Sequence, residues 1–179
     1  MQRIVDDLLD LSRIESGGWK PNPSHVDVRA IAADALASAN DRRPDTPIEL
    51  GLDIGPDATH VWADPTALRQ VLTNLVDNAV RHTTAGSVTV FSRRTAGGIA
   101  IGVSDTGIGI PPDHLPRIFE RFYRVDAGRS RSEGGTGLGL AIVKHLIEGH
   151  GGRVAAESTV GRGTKIWAEL PDPPAVTAA

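Results

Sequence analysis

Two stretches in which glycine recurs at alternate positions constrain this chain more than any other feature. They are residues 105–110, DTGIGI, and residues 134–140, GGTGLGL. Glycine has no side chain to keep a ligand away from the backbone. The second stretch opens a predicted helix, whose free N–H groups and dipole favour a phosphate. The chain is therefore predicted to hold a nucleotide.

The second stretch matches neither of two common phosphate-binding motifs. A G-x-G-x-x-G pattern fails because Leu140 or Ile142 falls where the last small residue belongs, and the preceding residues do not form a strand. No G-x-x-x-x-G-K-[ST] sequence occurs in the chain. Both motifs are therefore excluded.

The composition is that of one soluble domain with an appendage. Of the 179 residues 40% are hydrophobic and 23% are charged, and the formal net charge of −3 gives no reason to expect nucleic acid binding. The absence of cysteine excludes disulfides and thiolate chemistry. Without a membrane-span-sized apolar run or a secretory signal pattern, the expected location is cytoplasmic.

The patterning divides the chain into four parts: an apolar-striped helix in residues 1–17, a linker at 18–26, the main domain at 27–171 and a disordered tail at 172–179. The helices predicted in the main domain are 27–41, 65–83, a short one near 114–122, and 138–150. The predicted strands are 48–54, 61–63, 87–94, 99–104, 153–157 and 164–170. Residues 126–135 have too few apolar side chains to pack, which predicts mobility.

The helix from residue 65 has an unusual polar edge. Asn74, Asn78 and Arg81 lie beside its apolar stripe, at spacings of three and four residues. Asparagine is a poor helix former, and a surface helix ordinarily carries Glu and Lys at such an edge. Either the amides are satisfied within the protein, or their oxygens help to hold a hard cation such as Mg²⁺.

Asp105 ends a predicted strand immediately before the first glycines. A carboxylate in that position accepts a hydrogen bond from the exocyclic amine of adenine and repels the carbonyl oxygen of guanine. Asp-Thr-Gly is also a common turn sequence. The motif alone is compatible with both interpretations.

Five motifs together resemble the N, G1, F, G2 and G3 boxes of sensor histidine kinases, in family order. They are QVLTNLVDNAVRHT (70–83), DTGIGI (105–110), IFERFYRVD (118–126), GGTGLGLAIVKHLIEGHGG (134–152) and GRGT (161–164). The resemblance implies the α/β Bergerat fold, a two-layer sandwich of a mixed β-sheet with helices on one face. It also implies that residues 1–17 end a dimerisation and phosphoacceptor hairpin, and that 27–171 form the catalytic ATP-binding domain.

The resemblance implies a site for ATP and Mg²⁺. Asn78 would be the principal Mg²⁺ ligand with Asn74 beside it, and Asp105 would recognise adenine. Asn74, Arg81 and Arg124 would serve the transfer reaction. The residues implied to contact the nucleotide are Asn74, Asn78, Arg81, His82, Asp105, Gly107, Gly109, Ile110, Phe119, Phe122, Tyr123, Arg124, Gly135, Thr136, Gly137, Leu138, Gly139, Leu140 and Thr164.

Two residues depart from the commonest family pattern. Arg81 stands where lysine is frequent, which preserves the charge, and His82 stands where tyrosine is frequent. In the family scheme, Phe119 and Phe122 would anchor a lid over the nucleotide, and Thr164 would support the adenine contact indirectly.

One residue distinguishes the reaction within the wider fold family. Gyrase-like, mismatch-repair and chaperone ATPases carry a water-activating glutamate one turn before the metal-binding asparagine, whereas this chain has Asn74, which cannot act as a base at neutral pH. The expected activity is therefore transfer of the γ-phosphoryl group to a histidine in two-component signalling. None of the six histidines has the family's acceptor pattern, so the acceptor is expected outside this chain.

Two alternative functions stay open: a serine kinase of the anti-sigma type, and a domain that binds nucleotide only as a regulatory signal. The partners implied by the resemblance are the dimerisation domain of the same kinase and a response regulator. The whole protein is expected to be a homodimer and the cytoplasmic part of a membrane-anchored sensor, and this fragment a monomer or weak dimer.

Overall fold

The structure, a computed structural model, describes residues 12, 17–42, 47–125 and 135–175. The helices in this part of the chain are α1 (Val28–Arg42), α2 (Pro65–His82) and α3 (Gly139–Gly149), with one 3₁₀ turn at Leu115–Arg117. The strands are β1 (Ser24–Asp27), β2 (Ile48–Ile54), β3 (His60–Ala63), β4 (Gly86–Thr95), β5 (Gly98–Asp105), β6 (Arg153–Thr159) and β7 (Gly163–Pro171). The predicted helix of residues 1–15, the greater part of the predicted mobile segment and residues 176–179 lie outside the described residues.

Five strands form one mixed sheet in the order β2-β4-β5-β7-β6. β2 runs parallel to β4, and every other neighbouring pair is antiparallel. The three helices cover one face of this sheet, with α2 over β4 and β5, α1 beside β2, and α3 over β6 and β7. The predicted α/β fold, a mixed sheet with helices on one face, is confirmed.

The core lies between the helices and the sheet because each element presents one apolar side there. On α2 the side chains of Leu68, Leu72 and Leu75 are fully buried, at the spacing that the sequence predicted. Charged residues such as Asp53 and Lys165 alternate with the buried ones on the strands and are exposed on the opposite face of the sheet.

The start of α2 is fixed by its own sequence. Asp64 caps the helix, since its Oδ1 accepts the N–H groups of Thr66 at 2.9 Å and Ala67 at 3.1 Å, and Pro65 occupies the first helical position. Asp27 caps α1 in the same way, through the N–H groups of Arg29 and Ala30. Both helix starts were predictable from the sequence.

Two predictions about secondary structure need correction. β1 lies mostly inside the predicted linker of residues 18–26, and it pairs with β3 in a separate two-stranded antiparallel sheet. The short helix predicted near residues 114–122 is only the 3₁₀ turn, and Phe122 at the end of the predicted range has a left-handed φ of 59° that does not fit a right-handed helix. Among the described residues, no helix is long and apolar enough to cross a lipid bilayer.

Candidate active site

Helix α2 brings the two glycine stretches together. At its C-terminal end, the carbonyl of His82 accepts the N–H of Ile108 at 3.1 Å. Two turns earlier, Asn74 Nδ2 donates to the carbonyl of Gly139 at 3.3 Å. The loop after β5 and the turn before α3 therefore lie along the same two turns of α2, as parts of one site.

Asp105 uses its two carboxylate oxygens differently. Its Oδ1 accepts the N–H of Gly107 at 2.8 Å and the N–H of Thr164 at 3.3 Å. No described residue donates a hydrogen bond to Oδ2, which leaves this oxygen as an acceptor for a ligand. Burial raises the pKa of the Asp105 carboxyl, although the two N–H donors partly oppose this effect.

Ser158 on β6 connects the segments around Asp105, and no sequence motif identified it. Its hydroxyl accepts the N–H of Ile110 at 2.7 Å, donates to the carbonyl of Gly163 at 2.9 Å and lies 2.9 Å from Thr164 Oγ1. Ser158 therefore joins Ile110, at the end of the loop that follows Asp105, to β7. The Thr164 N–H of β7 in turn contacts the Asp105 carboxylate. In an isolated sequence Ser158 reads as an ordinary strand residue.

Removing the Ser158 hydroxyl tests this connection. We expect Ser158→Ala to lower the free energy of unfolding by about 1–3 kcal/mol, because the Ile110 N–H and the Gly163 carbonyl lose their partner. ATP affinity should fall at the same time, since the loop is freed. Isothermal calorimetry and thermal unfolding measure both changes. Ser104→Ala, on β5, is the control, and equal effects of the two substitutions would contradict the role of Ser158.

Three glycines of the motifs are required by the protein's own backbone. A Cβ added to Gly107 would lie 2.3 Å from the carbonyl oxygen of His82, and one on Gly109 would lie 2.3 Å from that of Thr159. Gly137 has a φ of +72°, and an added Cβ would approach the Cα of Phe122 to 2.9 Å. Glycine is therefore needed at these three positions for the segments of the site to pack closely, whether or not a ligand also requires it.

Gly139, the first residue of α3, has no such constraint. An added Cβ would make only ordinary contact with Asn74, 3.7 Å from its Cγ. Leu138 occupies the N-cap position and its side chain has no acceptor, so the first N–H groups of α3 lack a side-chain cap. The fold itself therefore does not require glycine at this position, and free N–H groups at a helix start favour an anion.

A pair of substitutions separates the two kinds of glycine. Gly139→Ala should leave stability unchanged or raise it by up to about 1 kcal/mol, since alanine favours a helix. It should also weaken ATP binding at least about tenfold, or about 1.4 kcal/mol. Gly137→Ala should destabilise the fold by roughly 1 kcal/mol or more, because of its left-handed backbone. Thermal unfolding and calorimetry are the measurements, and undiminished ATP affinity in Gly139→Ala would contradict this assignment.

Two arginines converge at the start of the glycine turn. A Cβ on Gly135 would lie 2.7 Å from Arg81 Nη1 and 3.7 Å from Arg124 Nη2. Guanidinium groups that approach the same point form a favourable site for a phosphate, which they can bind through paired N–H donors. The sequence predicted both residues for this role.

Asn74 of α2 faces the glycine turn, and the neighbouring Asp77 does not. Asp77 forms an ion pair with Arg42 of α1, with its side chain only 11% exposed. Asn78 is half-buried, and its amide makes no hydrogen bond with a described residue. Asn74 uses Nδ2 for Gly139, so its Oδ1 is the atom left to accept. Asp77 is therefore engaged with α1, away from the glycine turn.

These amides fit a hard cation that takes most of its ligands from phosphate and water. No three His, Cys, Asp or Glu side chains are grouped for metal binding anywhere in the part of the chain that the structure describes. Asn78 and Asn74 would supply neutral oxygen ligands, which Mg²⁺ accepts beside the charged oxygens of a nucleotide.

The two predicted lid anchors act in different ways. Phe119 is half-buried and packs against the core. The Phe122 side chain is 61% exposed, and its backbone has a φ of 59°. Its N–H donates to the carbonyl of Gly137 at 2.9 Å. Phe122 therefore holds the glycine turn through its backbone.

Other predicted contact residues have side chains that bond to other residues, pack in the core or are exposed. The Tyr123 hydroxyl is hydrogen-bonded to His114 Nδ1, and the guanidinium of Arg117 lies 4.3 Å from the Tyr123 ring centroid. Leu138 is fully buried in the core, its N–H donates to Thr136 Oγ1 at 3.2 Å, and the half-buried Leu140 packs against the same core. The side chain of His82 is exposed. Any nucleotide contact of Leu138 would therefore be made by its backbone.

Comparison with known proteins defines the class of this domain. A family model described as "Histidine kinase-, DNA gyrase B-, and HSP90-like ATPase" matches residues 63–174. The chain belongs to this ATPase family.

Similar proteins are sensor histidine kinases. The chain is 41% identical over 169 residues to the sensor-like histidine kinase SenX3 of Mycobacterium tuberculosis, which covers 94% of this chain and 41% of SenX3. The solved structure of full-length ShkA in complex with AMPPNP matches with a TM-score of 0.83 and 33% identity, over 94% of this chain and 35% of ShkA. That of the mycobacterial sensor histidine kinase MprB matches with a TM-score of 0.70 and 31% identity, over 84% of this chain and 99% of that chain. The domain is thus a histidine kinase catalytic ATPase domain, and the chain spans less than half of SenX3.

Proposed function

We propose that this chain binds Mg-ATP and transfers the γ-phosphoryl group to a histidine on a dimerisation domain, as the first step of two-component signalling. The observation that carries this proposal is the convergence on one glycine turn of the Arg81 and Arg124 guanidinium groups and the Asn74 amide. Asp105, held through Oδ1, leaves Oδ2 for the adenine amine at the other end of the site.

The residues of this chain would act by positioning and by charge. The N–H groups at the start of α3 and the two arginines would orient the phosphates and balance their charge. Mg²⁺, when bound by Asn78 and Asn74, would neutralise the charge that develops on the transferred group. Because Asn74 cannot take a proton from water, hydrolysis of ATP should be slow. The γ-phosphoryl group should therefore be transferred mainly when a histidine imidazole is presented to it.

Phosphotransfer to a separate acceptor tests the proposal. The chain is mixed with γ-labelled ATP, Mg²⁺ and a dimerisation-domain fragment that carries an acceptor histidine. Label that is acid-labile and alkali-stable on the fragment is the expected result. Alkali-labile label on serine would favour the anti-sigma type of serine kinase, and ATP binding without any transfer would favour a regulatory domain.

A further inference from the structure

The segment that leads into the domain is attached to it at three successive points. Trp19 contacts the C-terminal end of α3, the Asn22 N–H donates to Asp64 Oδ2 at 3.0 Å, and β1 pairs with β3. The predicted linker is therefore docked on the domain from Trp19 onwards.

The Trp19 contact depends on a glycine. A Cβ added to Gly149 would lie 2.6 Å from Trp19 Cζ3, so the indole occupies the space that a side chain would fill. On its other side, the ring lies 5.7 Å from the His150 ring, centroid to centroid, at an angle of 57°. Trp19 is half-buried and packs against the core of the domain. The indole is thus held between α3 and the residue that follows it.

The second attachment joins the same segment to α2. One oxygen of Asp64 caps α2, and the other accepts the Asn22 N–H. His150 Nε2 accepts the N–H of Asp64 at 3.0 Å, while Nδ1 lies 2.7 Å from the Leu146 carbonyl. Since a carbonyl can only accept and an N–H can only donate, His150 is the neutral tautomer with its proton on Nδ1. The docked segment therefore touches the starting end of α2 and the final end of α3, the two helices that carry the candidate site.

The chain just before Trp19 is different in character. Gly17 and Gly18 are exposed, and Gly17 has a φ of +71° with nothing within 4 Å of its missing Cβ. Beyond Trp19, Pro21 and Pro23 restrict the backbone further. The change from unrestricted to docked chain therefore falls between Gly18 and Trp19.

We propose that Trp19 is a positioning residue for phosphoryl transfer. By docking on the domain, Trp19 ends the flexible connection at Gly18. The nucleotide-binding domain can therefore move only a limited distance from the chain that precedes it. This inference rests on the proposed function. Releasing Trp19 and Asn22 would lengthen the free connection from residues 17–18 to residues 17–23. Because effective concentration falls roughly as the −3/2 power of tether length, transfer between the tethered partners would drop about five- to tenfold.

The test compares tethered with untethered transfer. Trp19→Ala removes the indole, Gly149→Ala displaces it, and Trp19→Phe retains an aromatic ring. Gly97→Ala, which adds a methyl group in open space on a hairpin turn, is the matched control. Each variant is assayed for transfer to a separate acceptor fragment, and for transfer within one polypeptide that carries the acceptor histidine before residue 1.

Trp19→Ala should lower transfer within the polypeptide about five- to tenfold, with a smaller effect of Gly149→Ala and recovery in Trp19→Phe. ATP affinity and transfer to the separate fragment should stay within about twofold of the unaltered protein. Hydrogen exchange at the Asn22 amide should become faster in Trp19→Ala and unchanged in Gly97→Ala.

Three outcomes would overturn the inference. Unchanged transfer within the polypeptide would remove the positioning role, and a parallel fall in ATP affinity and in both transfer rates would reduce Trp19 to a stabilising residue. Unchanged exchange at Asn22 would contradict the docking itself. If the unaltered protein bound ATP but phosphorylated neither acceptor, the proposed function would fail, and the exchange measurement would still decide whether the segment is docked.

Discussion

Asp105→Asn should abolish most of the affinity for ATP without unfolding the domain. The asparagine Oδ1 can still accept the N–H groups of Gly107 and Thr164, so the loop keeps its shape. An NH₂ group then replaces Oδ2 and meets the adenine amine as a second donor. The loss of a charge-assisted hydrogen bond is worth about 2–3 kcal/mol, or about 30- to 150-fold in affinity. Calorimetric titration with ATP measures this change.

The pH dependence gives an independent check of the same residue. Because burial raises the pKa of Asp105, protonation and loss of the anionic acceptor should weaken ATP binding at a higher pH than for an ordinary aspartate. For a carboxyl with a raised folded pKa, the contribution to stability is complete below the unfolded pKa and is lost as pH rises through the folded pKa. Asp105→Asn should therefore be at least as stable as the unaltered protein at neutral pH, and its ATP affinity should lose this pH dependence.

Asp113→Asn is the matched control, since it makes the same change at an exposed site in the following loop. It should leave ATP affinity within about twofold, well below the tenfold that 1.4 kcal/mol represents. Relaxed discrimination between ATP and GTP in Asp105→Asn would support the adenine contact further. Equal affinities for ATP in the two variants would contradict it.

The second large effect is expected at Asn78. Asn78→Ala removes a half-buried side-chain amide and breaks no hydrogen bond with a described residue. Alanine is also the better helix former, which should keep α2 intact or strengthen it by about 0.5 kcal/mol. If the amide oxygen holds Mg²⁺, the magnesium stimulation of ATP binding and of transfer should fall at least about 100-fold, the upper range for residues that only support a metal ligand.

Titration of ATP with and without Mg²⁺ measures the effect, and Asn40→Ala on the exposed face of α1 is its control. Asn78→Ala should bind ATP equally in the presence and absence of the cation. A magnesium response as large as that of Asn40→Ala would show that Asn78 is no ligand.

The sequence predicted those parts of the fold that depend on local patterns. Asp64 and Pro65 defined the start of α2, and the turn near Gly97 defined the β4–β5 hairpin, because capping and turn formation use residues close in sequence. β1 was missed because its four residues, SHVD, contain one buried apolar side chain, and its pairing with β3 depends on a distant segment. Such pairing has no local signature.

The candidate site divides in the same way. Asp105, Asn74 and the glycines could be predicted as site residues because their motifs have fixed spacing. The role of Ser158 depends on the register of β6 against β7, which joins Ser158 to Thr164. Phe122 bonds the glycine turn through its backbone while its side chain is exposed, and its backbone is left-handed. Sequence patterns do not predict that conformation for phenylalanine. The residues that hold the site in shape were therefore harder to predict than those that face it.

The shared carboxylate of Asp64 makes the docked segment sensitive to acid. Burial of this carboxyl opposes ionisation, but the hydrogen bonds from the N–H groups of Asn22, Ala67 and Thr66 outweigh it and lower its pKa. A carboxyl with a lowered folded pKa stabilises the fold above its unfolded pKa, and this contribution is lost as pH falls through the folded value. Uptake of one proton there would weaken the cap of α2 and release Asn22 together, so acid would undock the incoming chain and fray the asparagine-bearing helix in a single step.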